Sequence, residues 1–62
     1  MKHQRIVEIL CRRDDITAEE AQERINETLR RMEECGYDPV ECEDILAEEL
    51  GLEPDYLFDL LF

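Results

Sequence analysis

Three cysteines and one histidine are the residues with the most specific chemistry in this sequence. Cys11, Cys35, Cys42 and His3 have the side chains that zinc prefers, thiolate sulfur and imidazole nitrogen. Structural zinc sites pair cysteines with about two to four residues between them, whereas six residues separate the closest pair here, Cys35 and Cys42. An odd number of cysteines with no export signal also argues against a disulfide framework. We therefore expect free thiols and no metal site.

Carboxylates are abundant, and paired carboxylates can act as general acid and base when a pocket excludes water from them. A chain of 62 residues rarely encloses such a pocket. The sequence has no glycine-rich loop of the kind that binds phosphate groups, and its only histidine, His3, lies close to the first residue. We expect neither catalysis nor a cofactor.

The division of charge along the chain is its most informative feature. Residues 1–31 contain all seven basic residues and seven acidic ones, whereas residues 32–62 contain eleven acidic residues and no basic one. The second half therefore carries the whole net charge of −11. A charge of this sign opposes direct binding to nucleic acid and to anionic membranes, so we expect the partner to be a protein with a basic surface.

The sequence also indicates where in the cell the protein is expected. No stretch approaches the ~18 apolar residues of a membrane span. The first residues lead into an apolar run that Glu8 interrupts, which is unlike a secretory signal peptide. We expect a cytoplasmic protein that does not associate with membranes.

A row of carboxylates follows one face of the helix predicted over residues 39–50. Glu41, Asp44 and Glu48, which we call the acid row, are spaced by three and four residues, so on a helix they lie ~5–6 Å apart. This spacing is comparable to that of phosphates along a nucleic-acid strand, and it predicts that the row occupies a basic cleft as a nucleic-acid mimic. The alternative is that the acids only keep a small protein soluble and monomeric.

The last predicted helix carries a second candidate surface. If its leucines face the core, Phe58 and Phe62 fall together one helical turn apart, beside Asp55 and Asp59. Exposed aromatic rings beside acids suit a protein interface, so we predict that these four residues also contact the partner. The alternative is that both rings pack against the first helix.

Hydrophobic periodicity and capping signals predict the helices that position these residues. The first helix is expected from about His3 to Arg13, with basic residues in its last turn. Thr17 and Glu20 form a capping box that opens a second helix, which Gly36 ends in the left-handed conformation. The expected core positions of the second helix recur at intervals of three and four residues: Ala18, Ala21, Ile25, Leu29, Met32 and Cys35.

The outer face of the second helix alternates in charge. Glu20 and Arg24, and likewise Glu27 and Arg31, are acid-before-base pairs four residues apart. We expect both pairs to form on the solvated face, each contributing at most ~0.5 kcal/mol.

The third helix has equally clear boundaries. Asp38 is its predicted N-cap, Pro39 its first residue and Gly51 the residue that stops it after Leu50. A short fourth helix follows from Pro54 onward. No strand pattern competes, so the sequence predicts an all-α fold, a compact bundle of four short helices in a single domain of residues 1–62.

Residues 46–60 resemble the helix-turn-helix motif of DNA-binding regulators. The resemblance rests on a small residue, Ala47, on a turn glycine four places later, Gly51, and on the leucines Leu52, Leu57 and Leu60. The fold it implies is a helix-turn-helix-like arrangement of the last two helices. The positions that meet bases and phosphates in such regulators hold Pro54, Asp55, Phe58 and Asp59 here, so only the turn geometry is carried over.

The chain also resembles a loose group of small acidic proteins encoded by phages and mobile elements of gut Firmicutes. Two segments carry this likeness, Thr17-Ala18-Glu19-Glu20-Ala21 and Leu50-Gly51-Leu52-Glu53-Pro54-Asp55-Tyr56. The resemblance implies a host-directed accessory role or an unassigned one, and it implies no site residues.

Together these patterns predict a protein-binding module, monomeric or homodimeric. Its acidic C-terminal half is expected to inhibit a partner by occupying a basic, nucleic-acid-binding surface. The alternative function is a degenerate helix-turn-helix transcriptional regulator or its dimerisation module.

Overall fold

A computed structural model describes residues 3–62 and confirms the all-α fold. The α-helices in this range are α1, Gln4–Asp14; α2, Ala18–Glu34; α3, Pro39–Leu50; and α4, Leu57–Leu61, which a 3₁₀ turn at Pro54–Tyr56 precedes. α2 packs against both α1 and α3, and α4 closes the bundle against the same two helices. Within residues 3–62, every helix is too short or too polar to traverse a lipid bilayer.

The helices α2 and α3 begin at the predicted caps. The Thr17 hydroxyl accepts a hydrogen bond from the backbone N–H of Glu20 at 3.1 Å, and the Asp38 carboxylate accepts one from the N–H of Glu41 at 3.1 Å. Pro39 occupies the first turn of α3, where its missing N–H costs nothing. Each cap satisfies a backbone donor that the helix itself leaves unpaired, a contribution of ~1 kcal/mol.

The ends of α2 and α3 use the two glycines as predicted. Gly36 has a φ of 69° and Gly51 a φ of 63°, a conformation that L-residues adopt with strain. After α2, the N–H of Gly36 bonds the carbonyl of Glu33 and the N–H of Tyr37 bonds that of Met32, which is the Schellman arrangement. The turn leaves Tyr37 half exposed beside the start of α3.

One cluster of buried side chains holds the helices together. Its members are Ile6, Val7, Leu10, Ala21, Ile25, Met32, Cys42, Ile45, Leu46, Leu50, Leu52 and Leu60. One prediction about the core was wrong, because Ala18 is exposed. Ala47, one of the residues on which the helix-turn-helix resemblance rests, is exposed as well. Thr28, which the periodicity did not single out, is fully buried, and its hydroxyl donates to the Arg24 carbonyl at 2.8 Å.

Asp14 joins α1 to α2 and, through Arg13, to α3. Its carboxylate accepts two hydrogen bonds from Arg13, both at 2.9 Å, and one from Arg24 at 3.0 Å. Hydrogen bonding from Arg13 lowers the pKa of Asp14. The same Arg13 guanidinium donates to the carbonyls of Leu50 and Gly51, so it caps the C-terminus of α3. The predicted pair of Glu20 with Arg24 is therefore replaced by one between helices.

Two polar contacts fasten α4 to α1. The His3 side chain donates from Nε2 to the Leu60 carbonyl at 2.8 Å, and the guanidinium of Arg5 lies 3.4 Å from the Asp59 carboxylate. The Leu60 side chain is buried in the core. The last helix is thus held by one large apolar side chain and two polar contacts.

Candidate binding surfaces

The acid row lies on the outside of α3. Glu41, Asp44 and Glu48 are all exposed, and the spacing of three and four residues places them on one side of the helix. Asp38, the N-cap, extends the same negative surface beyond the helix start. The side chains on the opposite face of α3, including Leu46 and Leu50, are buried, so the row is carried on a fixed helix.

Arg31 reaches the C-terminal end of the acid row from α2. Its guanidinium lies 3.2 Å from the Glu49 carboxylate and 3.9 Å from that of Glu48. The hydrogen bond to Glu49 raises the pKa of Arg31. Arg31 was expected to pair with Glu27, which instead pairs with Arg30 at 3.2 Å. Glu41 and Asp44 therefore hold the unneutralised charge of the row.

The two acids predicted on the last helix differ in environment. Asp55 is exposed in the 3₁₀ turn. Asp59 is half-buried and pairs with Arg5. The ion pair neutralises part of its charge and helps to hold α4 to α1. Of these two predicted contact residues, Asp55 is the better available to a partner.

The aromatic pair is exposed. Phe58 is 70% exposed and Phe62 is 83% exposed, and their ring centroids lie 4.9 Å apart with the planes tilted by 36°. The alternative in which both rings pack against α1 is wrong. Because most of each ring stays exposed, the two rings form an apolar patch on the surface.

The aromatic pair forms one wall of a groove of about 900 Å³ that is open to solvent. The other walls come from α2, from the turn at Tyr37 and from the start of α3. Partly buried leucines of α2 and α4, among them Leu29, Leu57 and Leu61, supply its apolar base. The groove thus joins side chains from three helices that lie far apart in the sequence.

Acidic residues lie beside the groove. Cys42 lines it, and the N–H of Cys42 bonds the carbonyl of Asp38 at 2.8 Å. Burial raises the pKa of the Cys42 thiol, an effect to which the Cys35 thiol and the charges of Asp38 and Glu41 add. Glu33, on α2, lines the groove as well. Glu41 therefore belongs both to the acid row and to the surroundings of the groove.

Comparison of the chain with known protein families, with curated proteins and with solved structures finds no match. The function is therefore inferred from the acid row, the aromatic pair and the groove. Within residues 3–62, no group of three or more His, Cys, Asp and Glu side chains is arranged to hold a metal ion, and all three cysteines are free.

The groove was not predicted from the sequence. Leu29, Leu57 and Leu61 were assigned to the core, but each is only partly buried. Tyr37, which lies between a turn glycine and a helix cap, was not singled out. An aromatic residue in so polar a turn is the one local signal that could have pointed to a contact surface there.

Proposed function

We propose that this protein is an acidic binding module that acts by covering a basic surface of a partner protein. The acid row is the part that docks, and the surface it covers is one that otherwise binds nucleic acid. Binding would then inhibit the partner by competition for that surface.

The proposal rests on how few of the acidic residues in 32–62 form ion pairs. Of these eleven acidic residues, only Glu48, Glu49 and Asp59 form ion pairs with basic side chains in the described part of the chain. Basic residues of α1 and α2 therefore neutralise acids at helix contacts and leave the outer side of α3 negative. Solubility alone needs no such concentration of charge on one side.

The rigidity of α3 supports the proposal as well. Its cap at Asp38, its buried inner face and the Arg13 hydrogen bonds at its C-terminus hold the helix in one place. A preorganised row of carboxylates loses little conformational entropy when it docks, and a field of one sign speeds the encounter with a basic partner. Carboxylates ~5–6 Å apart on this helix resemble successive phosphates in spacing and charge.

The test starts by capturing the partner from a lysate of the source cells and identifying it by mass spectrometry. Association is then measured for Glu41→Lys/Asp44→Lys and for a matched control, Glu19→Lys/Glu23→Lys on α2. Both variants change the same net charge at exposed positions, and in each pair one acid lies in the first turn of its helix. We expect the acid-row variant to slow association on the order of tenfold or more at low salt, and the control to change it far less.

Two further measurements are the salt dependence of association and the displacement of nucleic acid from the partner. Between about 0.1 M and 1 M salt the screening length falls from ~10 Å to ~3 Å, so association should weaken steeply. Nucleic acid bound to the partner should be displaced by the module. Equal effects of the two charge variants, or association that does not respond to salt, would leave solubility as the role of the acids.

A further inference from the structure

We propose that the groove between α2, the Tyr37 turn and α4 binds an amphipathic helix of the partner, one with large apolar side chains on one face and basic side chains beside them. This inference rests on the proposed function, because it names the element of the partner protein that the module binds. The acid row would then contact the basic surface around that helix.

The apolar character of the groove comes from side chains that the fold leaves uncovered. Phe58 and Phe62 form a ridge along one wall, with their ring centroids 4.9 Å apart, and Leu57 and Leu61 are partly buried next to them on α4. A volume of about 900 Å³ is near the upper end of the ~300–1,000 Å³ found for small-molecule pockets. An open groove of that size accommodates several side chains of one segment.

The charge around the groove selects between a foreign segment and a second copy of this chain. Glu33 lines the groove, and Asp38 and Glu41 lie next to Cys42, which also lines it. Of the lining side chains that can carry positive charge, Arg30 is paired with Glu27 and His3 bonds the Leu60 carbonyl. A second copy would bring another net charge of −11 to this acidic rim, whereas a helix with basic flanks would be attracted to it.

The fold also selects the conformation of the occupant. No strand is present in residues 3–62, so this part of the surface offers no free sheet edge to which an extended peptide could add. Most of the lining residues belong to helices, whose backbone groups are bonded within the helix, so the groove offers few partners to the backbone donors and acceptors of an occupant. A helix satisfies those groups internally and presents its apolar residues at intervals of three and four, which suits a groove of this kind.

The test uses two synthetic peptides of identical lysine and leucine composition. In the first, leucines recur at helical spacing so that they share one face; in the second, the same residues are scrambled. Dissociation constants are measured by calorimetry for the native protein, for Phe58→Ala/Phe62→Ala and for Val40→Ala. Val40 is 65% exposed and does not line the groove, so its variant controls for the loss of exposed apolar area elsewhere.

We expect the native protein to bind the patterned peptide on the order of tenfold more tightly than the scrambled one. The Phe58→Ala/Phe62→Ala variant should lose this preference, and Val40→Ala should keep it. Equal binding of the two peptides, or an equal loss in the Val40 variant, would overturn the proposal. So would sedimentation that shows the protein alone as a dimer and the Phe58→Ala/Phe62→Ala variant as a monomer, since a second copy would then be the occupant.

The acid-row variant separates failure of this inference from failure of the proposed function. Glu41→Lys/Asp44→Lys should weaken both peptides by a similar factor, because both carry the same charge, and should leave the preference for the patterned peptide. If the preference is absent while the acid row still governs association with the captured partner, only the groove proposal fails. If the preference persists but the acid row does not affect the partner, only the proposed function fails.

Discussion

The guanidinium of Arg13 donates a hydrogen bond to the carbonyl of Gly51 at 3.1 Å, across 38 positions of the chain. It also bonds the neighbouring Leu50 carbonyl, so a side chain of α1 satisfies two carbonyls at the C-terminus of α3. A cation in this position is further stabilised by the helix dipole. The helix that carries the acid row is thus anchored at that end by a residue outside it.

Replacing Gly51 with alanine should destabilise the protein more than replacing Gly36. Both glycines have positive φ, so each substitution costs about 1–2 kcal/mol of backbone strain. A Cβ at Gly51 would lie 3.3 Å from Nη1 of Arg13, whereas nothing lies within 4 Å of a Cβ at Gly36. Urea denaturation gives the two free energies of unfolding. The additional loss of stability in Gly51→Ala, relative to Gly36→Ala, should disappear when Arg13 is also replaced by alanine. If that additional loss remains, another contact causes it.

Asp14→Asn should lower stability at neutral pH and have no effect in acid. Because hydrogen bonding from Arg13 lowers the pKa of Asp14 in the folded protein, the stabilisation is present above the unfolded value of ~3.9 and is lost as the pH falls through the folded value. The measurement is the unfolding midpoint in urea from about pH 7 to about pH 2. Asp15→Asn is the control, since asparagine tolerates the positive φ of that position. A gap between Asp14→Asn and the native protein that is independent of pH would contradict the ion-pair account.

The exposed rings should contribute little to folding. Leu60 is 1% exposed, so Leu60→Ala should cost ~2–5 kcal/mol. Phe58→Ala and Phe62→Ala should each stay within ~0.5 kcal/mol of the native protein. Thermal unfolding followed by circular dichroism compares the three variants. A large loss of stability in either phenylalanine variant would mean that the ring packs against the bundle.

Cys42 should resist thiol reagents while the protein is folded. Its side chain is 1% exposed and burial raises its pKa, which lowers the fraction of reactive thiolate. Cys11 and Cys35 are half-buried and should react sooner. Alkylation followed by peptide mass spectrometry gives the rate for each cysteine, and all three rates should converge in denaturant. Equal rates for Cys35 and Cys42 in the native protein would contradict the burial of Cys42.

The protein alone should not bind duplex DNA at physiological salt. Binding to DNA gains much of its affinity from lysine and arginine at phosphates, and α4 has five residues without either. Asp55 and Asp59 would instead meet the phosphates of a major groove. A gel shift at nanomolar protein provides the measurement. A sequence-specific shift would favour the helix-turn-helix regulator.

The local part of the structure could be predicted from the sequence, because its signals act over a few residues. The caps at Thr17 and Asp38 and the left-handed glycines at 36 and 51 are all of this kind. The partners of Arg24 and Arg31 could not be predicted, because a long side chain can reach any acid that packing brings near it. In this fold α1 brings Asp14 to Arg24, and α3 brings Glu49 to Arg31.

Of the two candidate surfaces, the acid row could be predicted from the sequence and the groove could not. The exposure of Glu41 and Asp44 follows from helical spacing on α3. The groove, in contrast, depends on how α4 is placed relative to α2, which no periodicity encodes. Leu57 and Leu61 therefore had the signature of core residues and are only partly buried.

The short length of α4 has a dynamic consequence. Isolated helices below ~12–15 residues are marginal in water, so a helix of five residues persists only while it is docked. Its docking depends on Leu60 and on the contacts with His3 and Arg5, so we expect α4 to open as a local unit without the rest of the bundle. Amide hydrogen exchange of α4 then reports the opening equilibrium. An occupant of the groove touches α4 directly, so its binding energy adds to that of docking and slows this exchange.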